Sequence, residues 1–220
     1  MPHNTVRLHQ GRATQPAADE AHAKPEEMAR WPLLECLISA DWRDVRRPTT
    51  VVIARRSPRA AAVGIGIFLV DLGCLGVRRG NVSVAPAADY AQLLRPALVE
   101  RTGAEVCAPA LAAKVIRAAA RYAERLGFEP DKETREALGI LGDIDPSACT
   151  EPVPLGEDGK PLCMPGPEDD VEAIVARLER QVGKDGFVML LDDEMPESDE
   201  VDGFLPEEGG HDDEDSASEE

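Results

Sequence analysis

Asp71 and Cys74 stand close together in the stretch FLVDLGCLGV, and both carry side chains able to take part in chemistry. If FLVDL is a strand, the Asp71 carboxylate falls in register with Ile65, Ile67 and Leu69 on an apolar face. A carboxylate buried there without a cation or backbone donors has its pKa raised, and functional acids are made this way. The competing and preferred reading ends the strand at Asp71, whose side chain then caps the turn into Leu72 and Gly73. Cys74 is a nucleophile only as a thiolate, which needs a nearby cation such as Arg78 or Arg79. Against this stands the usual behaviour of a buried Cys as a small hydrophobe.

Arginines form the second constellation. Arg43, Arg46, Arg47, Arg55, Arg56, Arg59, Arg78 and Arg79 all fall between positions 43 and 79, against Asp44 and Asp71 alone. The guanidinium fork matches phosphate geometry, and a patch of such groups attracts polyanions by releasing counterions. The candidate anion-binding set is Arg46, Arg47, Arg55, Arg56, Arg59, Arg78 and Arg79, and the bland alternative is solvated arginines paired with neighbouring acids. Tyr90 and Tyr122 fall in expected helices, so the chain has no aromatic array on which bases would stack. Asp143, Asp145, Glu151 and Glu157 form a loop group whose spacing does not match a calcium loop.

Several chemistries are excluded. All four histidines, at positions 3, 9, 22 and 211, lie outside residues 30–191. That body therefore holds no Ser-His-Asp or Cys-His site and no His-ligated metal. GIGIFL lacks the third Gly of a dinucleotide fingerprint, and LGCLGVRRG lacks the Gly-Lys-Ser/Thr end of a phosphate loop, so neither a cofactor nor a metal is expected.

The elements that would position these residues follow from periodicity. TTVVIARR is β-branched and apolar, RSPR is a turn, and AAAVGIGIFLVDL returns as a second strand; a third from Leu75 to Val84 completes a meander. Val63, Ile65, Ile67 and Leu69 alternate with Gly64, Gly66, Phe68 and Val70, so the middle strand is apolar on both faces and should be covered on both. Gly64 and Gly66 invite a close neighbour, and the small-faced helix from Pro109 to Leu126 is the expected one. WPLLECLISADW reads as a helix or as a strand and turn. Further helices are expected from Pro86 to Glu100, closed by Gly103, from Pro130 to Gly142 and from Glu168 to Val182. A short hairpin around GEDGK and a last strand, Phe187 to Leu191, follow. The expected class is α+β, with a mainly antiparallel sheet, an N-terminal β-meander and several helices.

The expected organisation is a disordered arm over residues 1–29, one α+β domain over 30–191 and a disordered acidic tail over 192–220. The tail holds fifteen Asp and Glu and no Lys or Arg, whereas the body is close to neutral. Such self-repulsion with few apolar residues leaves little surface to bury. Residues 60–77 are apolar enough to suggest a membrane span, but Asp71 within them and their marginal length favour buried sheet, so no membrane is expected. Five cysteines without a C-x-x-C pair, and an N-terminus lacking an apolar signal region, point to a reducing cytoplasm.

Through FLVDLGCLGV, followed by AAKVIRAAARYAERLGFEP and LGDID, the chain resembles a group of uncharacterised bacterial proteins that share a FLVD-x-x-CLGV core. The resemblance covers roughly residues 31–191 and implies a recurrent fold and bacterial origin, without a mechanism. The leading functional expectation is a binding or regulatory protein that offers its arginines to an anionic partner, nucleic acid among them, with the tail modulating access. The rivals are a carboxylate-dependent hydrolase or nuclease centred on Asp71 with a divalent metal as helper, and an adaptor that docks another protein through its tail.

Overall fold

The structure, a computed structural model, describes residues 18–190. The acidic tail and residues 1–17 lie outside the described residues.

The β-branched runs form the expected meander, with β2 Thr49–Arg56, β3 Ala62–Asp71 and β4 Gly76–Pro86. WPLLECLISADW resolves as a strand, β1 Leu33–Ser39, pairing antiparallel with β2. A strand not anticipated from sequence, β5 Ala104–Cys107, pairs antiparallel with the other edge of β1. The sheet therefore runs β4-β3-β2-β1-β5, all antiparallel, with β3 next to the edge strand.

Both faces of β3 are covered. Val51, Ile53, Phe68 and Val70 pack on one side against helix α5, Pro109–Arg125, and against Ile140 and Leu141. Val52, Ala54, Val63 and Ile65 pack on the other side against Tyr90 and Leu98 of the helical run 87–102. That run comprises a short α3, Ala87–Asp89, a π-turn over Tyr90–Leu94 and α4, Arg95–Thr102, and it ends before Gly103. The Tyr90 hydroxyl and the Arg95 Nε both donate to Glu35 Oε1 at 2.8 Å, tying this run to β1.

The expected partner of Gly64 and Gly66 is corrected. A Cβ on Gly64 would meet the Met28 sulfur at 2.7 Å, and one on Gly66 would meet Ile140 at 2.8 Å. Helix α5 makes its closest approach at Gly76 instead, where φ is +76° and a Cβ would lie 2.5 Å from that of Ala123. The missing side chains signalled close packing correctly, but the period of the strand does not say which element supplies it.

Residues 18–29, expected to belong to a disordered arm, form α1, Ala18–Ala21, and α2, Pro25–Met28. Met28 is buried beside Trp31 in the core under Gly64, so the apolar contribution of one methionine anchors what reads as a polar segment. Beyond α5, Asp131 accepts from the Thr134 N–H at 2.7 Å and starts α6, Lys132–Ala137, which tightens into a 3-10 turn over Leu138–Leu141. Asp170 likewise caps α7, Val171–Val182. The arms around GEDGK make one bridge, Glu157 to Lys160, and then β6, Leu162–Cys163. β6 pairs parallel with β7, Val188–Met189, so the last strand joins a separate two-stranded ribbon. Among the described residues, no helix is long and apolar enough to cross a membrane, and residues 62–71 are strand β3.

Candidate functional site

Asp71 caps its turn: Oδ1 accepts the N–H of Gly73 at 2.7 Å and that of Cys74 at 3.0 Å. The residue is 1% exposed, and among the described residues its Oδ2 has no hydrogen-bond partner. Burial therefore raises its pKa, opposed by the turn N–H groups and by the charge of Arg78. Cys74 is fully buried against Cys163, and a hydrogen bond between the thiols, reinforced by burial, holds the Cys74 thiol well above its ordinary range. That is the opposite of thiolate activation. Asp71, Cys74, Arg78 and Arg79 do not meet in one concavity. Asp71 and Cys74 are sealed, Arg79 is exposed, and Arg78 borders a furrow of about 260 Å³ shared with Phe128, Asp131, Asp169 and Arg177.

Most of the arginines expected to receive an anion fasten the fold to itself. Arg55 is 4% exposed and donates to the carbonyls of Trp31 at 2.9 Å, Ile140 at 2.9 Å and Leu141 at 3.0 Å. It is corrected from a ligand-binding residue to an internal clamp, because a buried guanidinium must satisfy its donors and the end of a 3-10 turn offers free carbonyls. Arg78 pairs with Asp169 and reaches the Met164 carbonyl. Arg43 pairs with Glu151, Arg46 with Glu157 at 2.7 Å and Arg47 with Asp41 at 3.5 Å. The loop carboxylates and the arginine run thus neutralise one another across the chain. Arg56 and Arg59 are exposed near the β2–β3 turn, and Arg79 is exposed on β4. In the ladder Arg56 stands opposite Val63 and Arg79 opposite Leu69, so these two lie toward opposite ends of β3.

The coherent basic surface lies elsewhere. Arg117, Arg121 and Arg125 follow one another at four-residue spacing along α5, hence on one face and about 6 Å apart in rise. Arg117 donates to the Gly142 carbonyl at 3.1 Å, Arg121 to the Arg117 carbonyl at 3.2 Å, and Arg125 rests over the Tyr122 ring at 5.7 Å. Among the described residues none of the three forms an ion pair with a carboxylate. Lys114, one turn earlier, bonds the Cys149 and Glu151 carbonyls at 2.8 and 2.6 Å. Glu124 is the acidic residue on this helix. Like charges at four-residue spacing cost roughly 0.2–0.5 kcal/mol per pair, so this arrangement does not serve the helix itself. Beside Arg117 lies a shallow depression of about 320 Å³ floored by Ile116, Ala120, Leu138 and Leu141. The signal was present as R-x-x-x-R-x-x-x-R, but the apolar period of the same helix drew the reading to its buried side.

Among the described residues, no group of three or more His, Cys, Asp or Glu is arranged to hold a metal ion. The chain matches no protein-family model, no curated protein and no solved structure with which it was compared.

Proposed function

We propose that the protein is a cytoplasmic, non-catalytic binding or regulatory protein that engages an anionic partner, nucleic acid foremost, on the exposed face of α5. The observation that carries this reading is the row Arg117, Arg121 and Arg125, none of which closes an ion pair among the described residues, although the Arg117 charge is felt by the carboxylate of Asp145. Phosphates would take the donors those contacts leave free, and the apolar depression beside Arg117 would receive a base or an apolar side chain. The fifteen acids of residues 192–220 supply an intramolecular competitor for the same face. Five free cysteines suit a reducing compartment.

The test is binding of a labelled single-stranded oligonucleotide across a salt series, using the full chain and a version ending at Leu191. The shorter protein should bind more tightly, with log K falling against log salt at a slope near −2, as about three phosphate contacts to a single strand require. Replacing Arg117, Arg121 and Arg125 together by Glu should abolish that binding while leaving the fold intact. Salt-insensitive or absent binding by the shorter protein defeats the reading.

A further inference from the structure

The ladder between β1 and β5 places Cys36 directly opposite Cys107, and both side chains belong to the same packed face of the sheet. Opposed residues of an antiparallel pair have Cα atoms about 4.5–5.5 Å apart, inside the span of about 4.4–6.8 Å that a disulfide bridges. Sequence spacing gives no hint of this, since the two cysteines lie on either side of the whole meander. We infer that Cys36 and Cys107 form a thiol-disulfide modification site, closed by a low-molecular-weight disulfide and reopened by a dithiol. This inference is independent of the reading of the α5 face.

The two thiols differ in a way that sets the order of events. Cys36 is 1% exposed, whereas Cys107 is half-buried on an edge strand. Cys107 also lies just ahead of α5, near the positive end of that helix, where the Ala112 N–H opposes the rise of its pKa. Burial pushes Cys36 up to about 12 and Cys107 to about 11, the Ala112 N–H holding the latter down. Both thiols are less acidic than a free cysteine, and Cys107, the more exposed of the two, is the attacking thiol. As its thiolate it displaces one sulfur of the small disulfide, which leaves as a thiol carrying the Cys107 proton. Cys36 Sγ then attacks Cys107 Sγ in the mixed disulfide, gives up its own proton and expels the second small thiol. Two cysteines are oxidised by two electrons, and one small disulfide becomes two thiols.

The other cysteines provide internal contrasts. Cys74 and Cys163 also touch, but both are fully buried, so an external disulfide has no approach to either. Cys149 is half-buried after the 3-10 turn Pro146–Ala148, outside the strands and so without a partner set by a ladder, and it should stop at a mixed disulfide.

The experiment treats full-length folded protein with oxidised glutathione, blocks free thiols with N-ethylmaleimide and digests with trypsin without reduction. The expected product joins the peptide Trp31–Arg43 to Thr102–Lys114 through Cys36 and Cys107. Closing so long a loop should raise Tm by several degrees, reversibly with dithiothreitol. In a Cys36→Ser protein, Cys107 should be trapped as the glutathione mixed disulfide and the rise in Tm should vanish. The inference is overturned if Cys36 remains alkylated while Cys107 carries glutathione in the parent protein. It is equally overturned if the bridge found is Cys107–Cys149 or Cys74–Cys163, or if Cys107 of the Cys36→Ser protein stays a free thiol. Far-UV circular dichroism at the reaction temperature confirms that the protein is folded when it reacts.

Discussion

The flank of the sheet and the outer face of α5 hold the same side chain in two different states. Along the flank, Arg43, Arg46, Arg55 and Arg78 reach across to the chain beyond residue 138 and are consumed by its carbonyls and carboxylates. On α5, Arg121 and Arg125 are exposed and Arg117 is half-buried, and none of the three closes an ion pair with a carboxylate among the described residues. Local density of arginine in sequence is thus a poor guide to availability. What separates the two regions is how far the irregular, carbonyl-rich segment extends: it reaches Arg117 through the Gly142 carbonyl but contributes no bond to Arg121 or Arg125.

The contrast makes ordered claims about stability. Arg55→Ala should have the largest effect, lowering unfolding free energy by about 3 kcal/mol in urea titrations, because it takes the donor from the Trp31 and Ile140 carbonyls and one of two donors from that of Leu141. A loss below about 1 kcal/mol would show that water replaces the guanidinium and would break the distinction between clamp and display. Asp71→Ala should come next at about 2 kcal/mol, since two turn N–H groups lose their acceptor. Asp71→Asn sharpens the point through pH. The folded pKa lies above the unfolded value, so native Asp71 binds the extra proton and its stabilising contribution is complete below pH of about 3.9. That contribution is lost as pH rises through the raised folded pKa. The Asn protein should therefore show a flatter dependence of stability on pH above about 4, measured by urea midpoints across a pH series. Arg78→Ala should cost about 1 kcal/mol, and Arg46→Ala less, because the Arg46 side chain is 60% exposed and its pair is screened. Smallest of all, Arg117→Glu, Arg121→Glu and Arg125→Glu should each change stability by about 0.5 kcal/mol while together removing polyanion binding.

Much of the fold was legible because it is written in local periods. TTVVIARR, RSPR and AAAVGIGIFLVDL specify β2, a turn and β3. Asp131 marks a helix start by chemistry confined to three residues, whereas the helix expected from Glu168 begins at Val171, behind the Asp170 cap. β5 escaped because four residues between Gly103 and Pro109 carry too little pattern to register. The neighbours of Gly64 and Gly66 escaped for another reason: Met28 lies ahead of the sheet and Ile140 beyond α5, and no period links them to β3. The capping role of Asp71 was readable from its own turn, yet its orphaned second oxygen was not, since burial is a property of everything packed around it. Likewise the arginine run was visible as charge, but its pairing with Glu151, Glu157 and Asp169 spans about a hundred residues of chain.

Residues 143–164 show where this architecture should first give way. The segment contributes a 3-10 turn over Pro146–Ala148, one isolated bridge and the two residues of β6, is buried only at residues 161–164, and is otherwise pinned by Lys114, Arg43, Arg46 and the bonds Gly156 N–H to Leu72 and Leu162 N–H to Gly73. Side-chain fasteners release independently, whereas the rungs of the meander open together. Amide hydrogen exchange should accordingly find this stretch opening as a sub-global unit while β2 and β3 exchange only when the whole molecule unfolds. Rising ionic strength should widen the interval between the two.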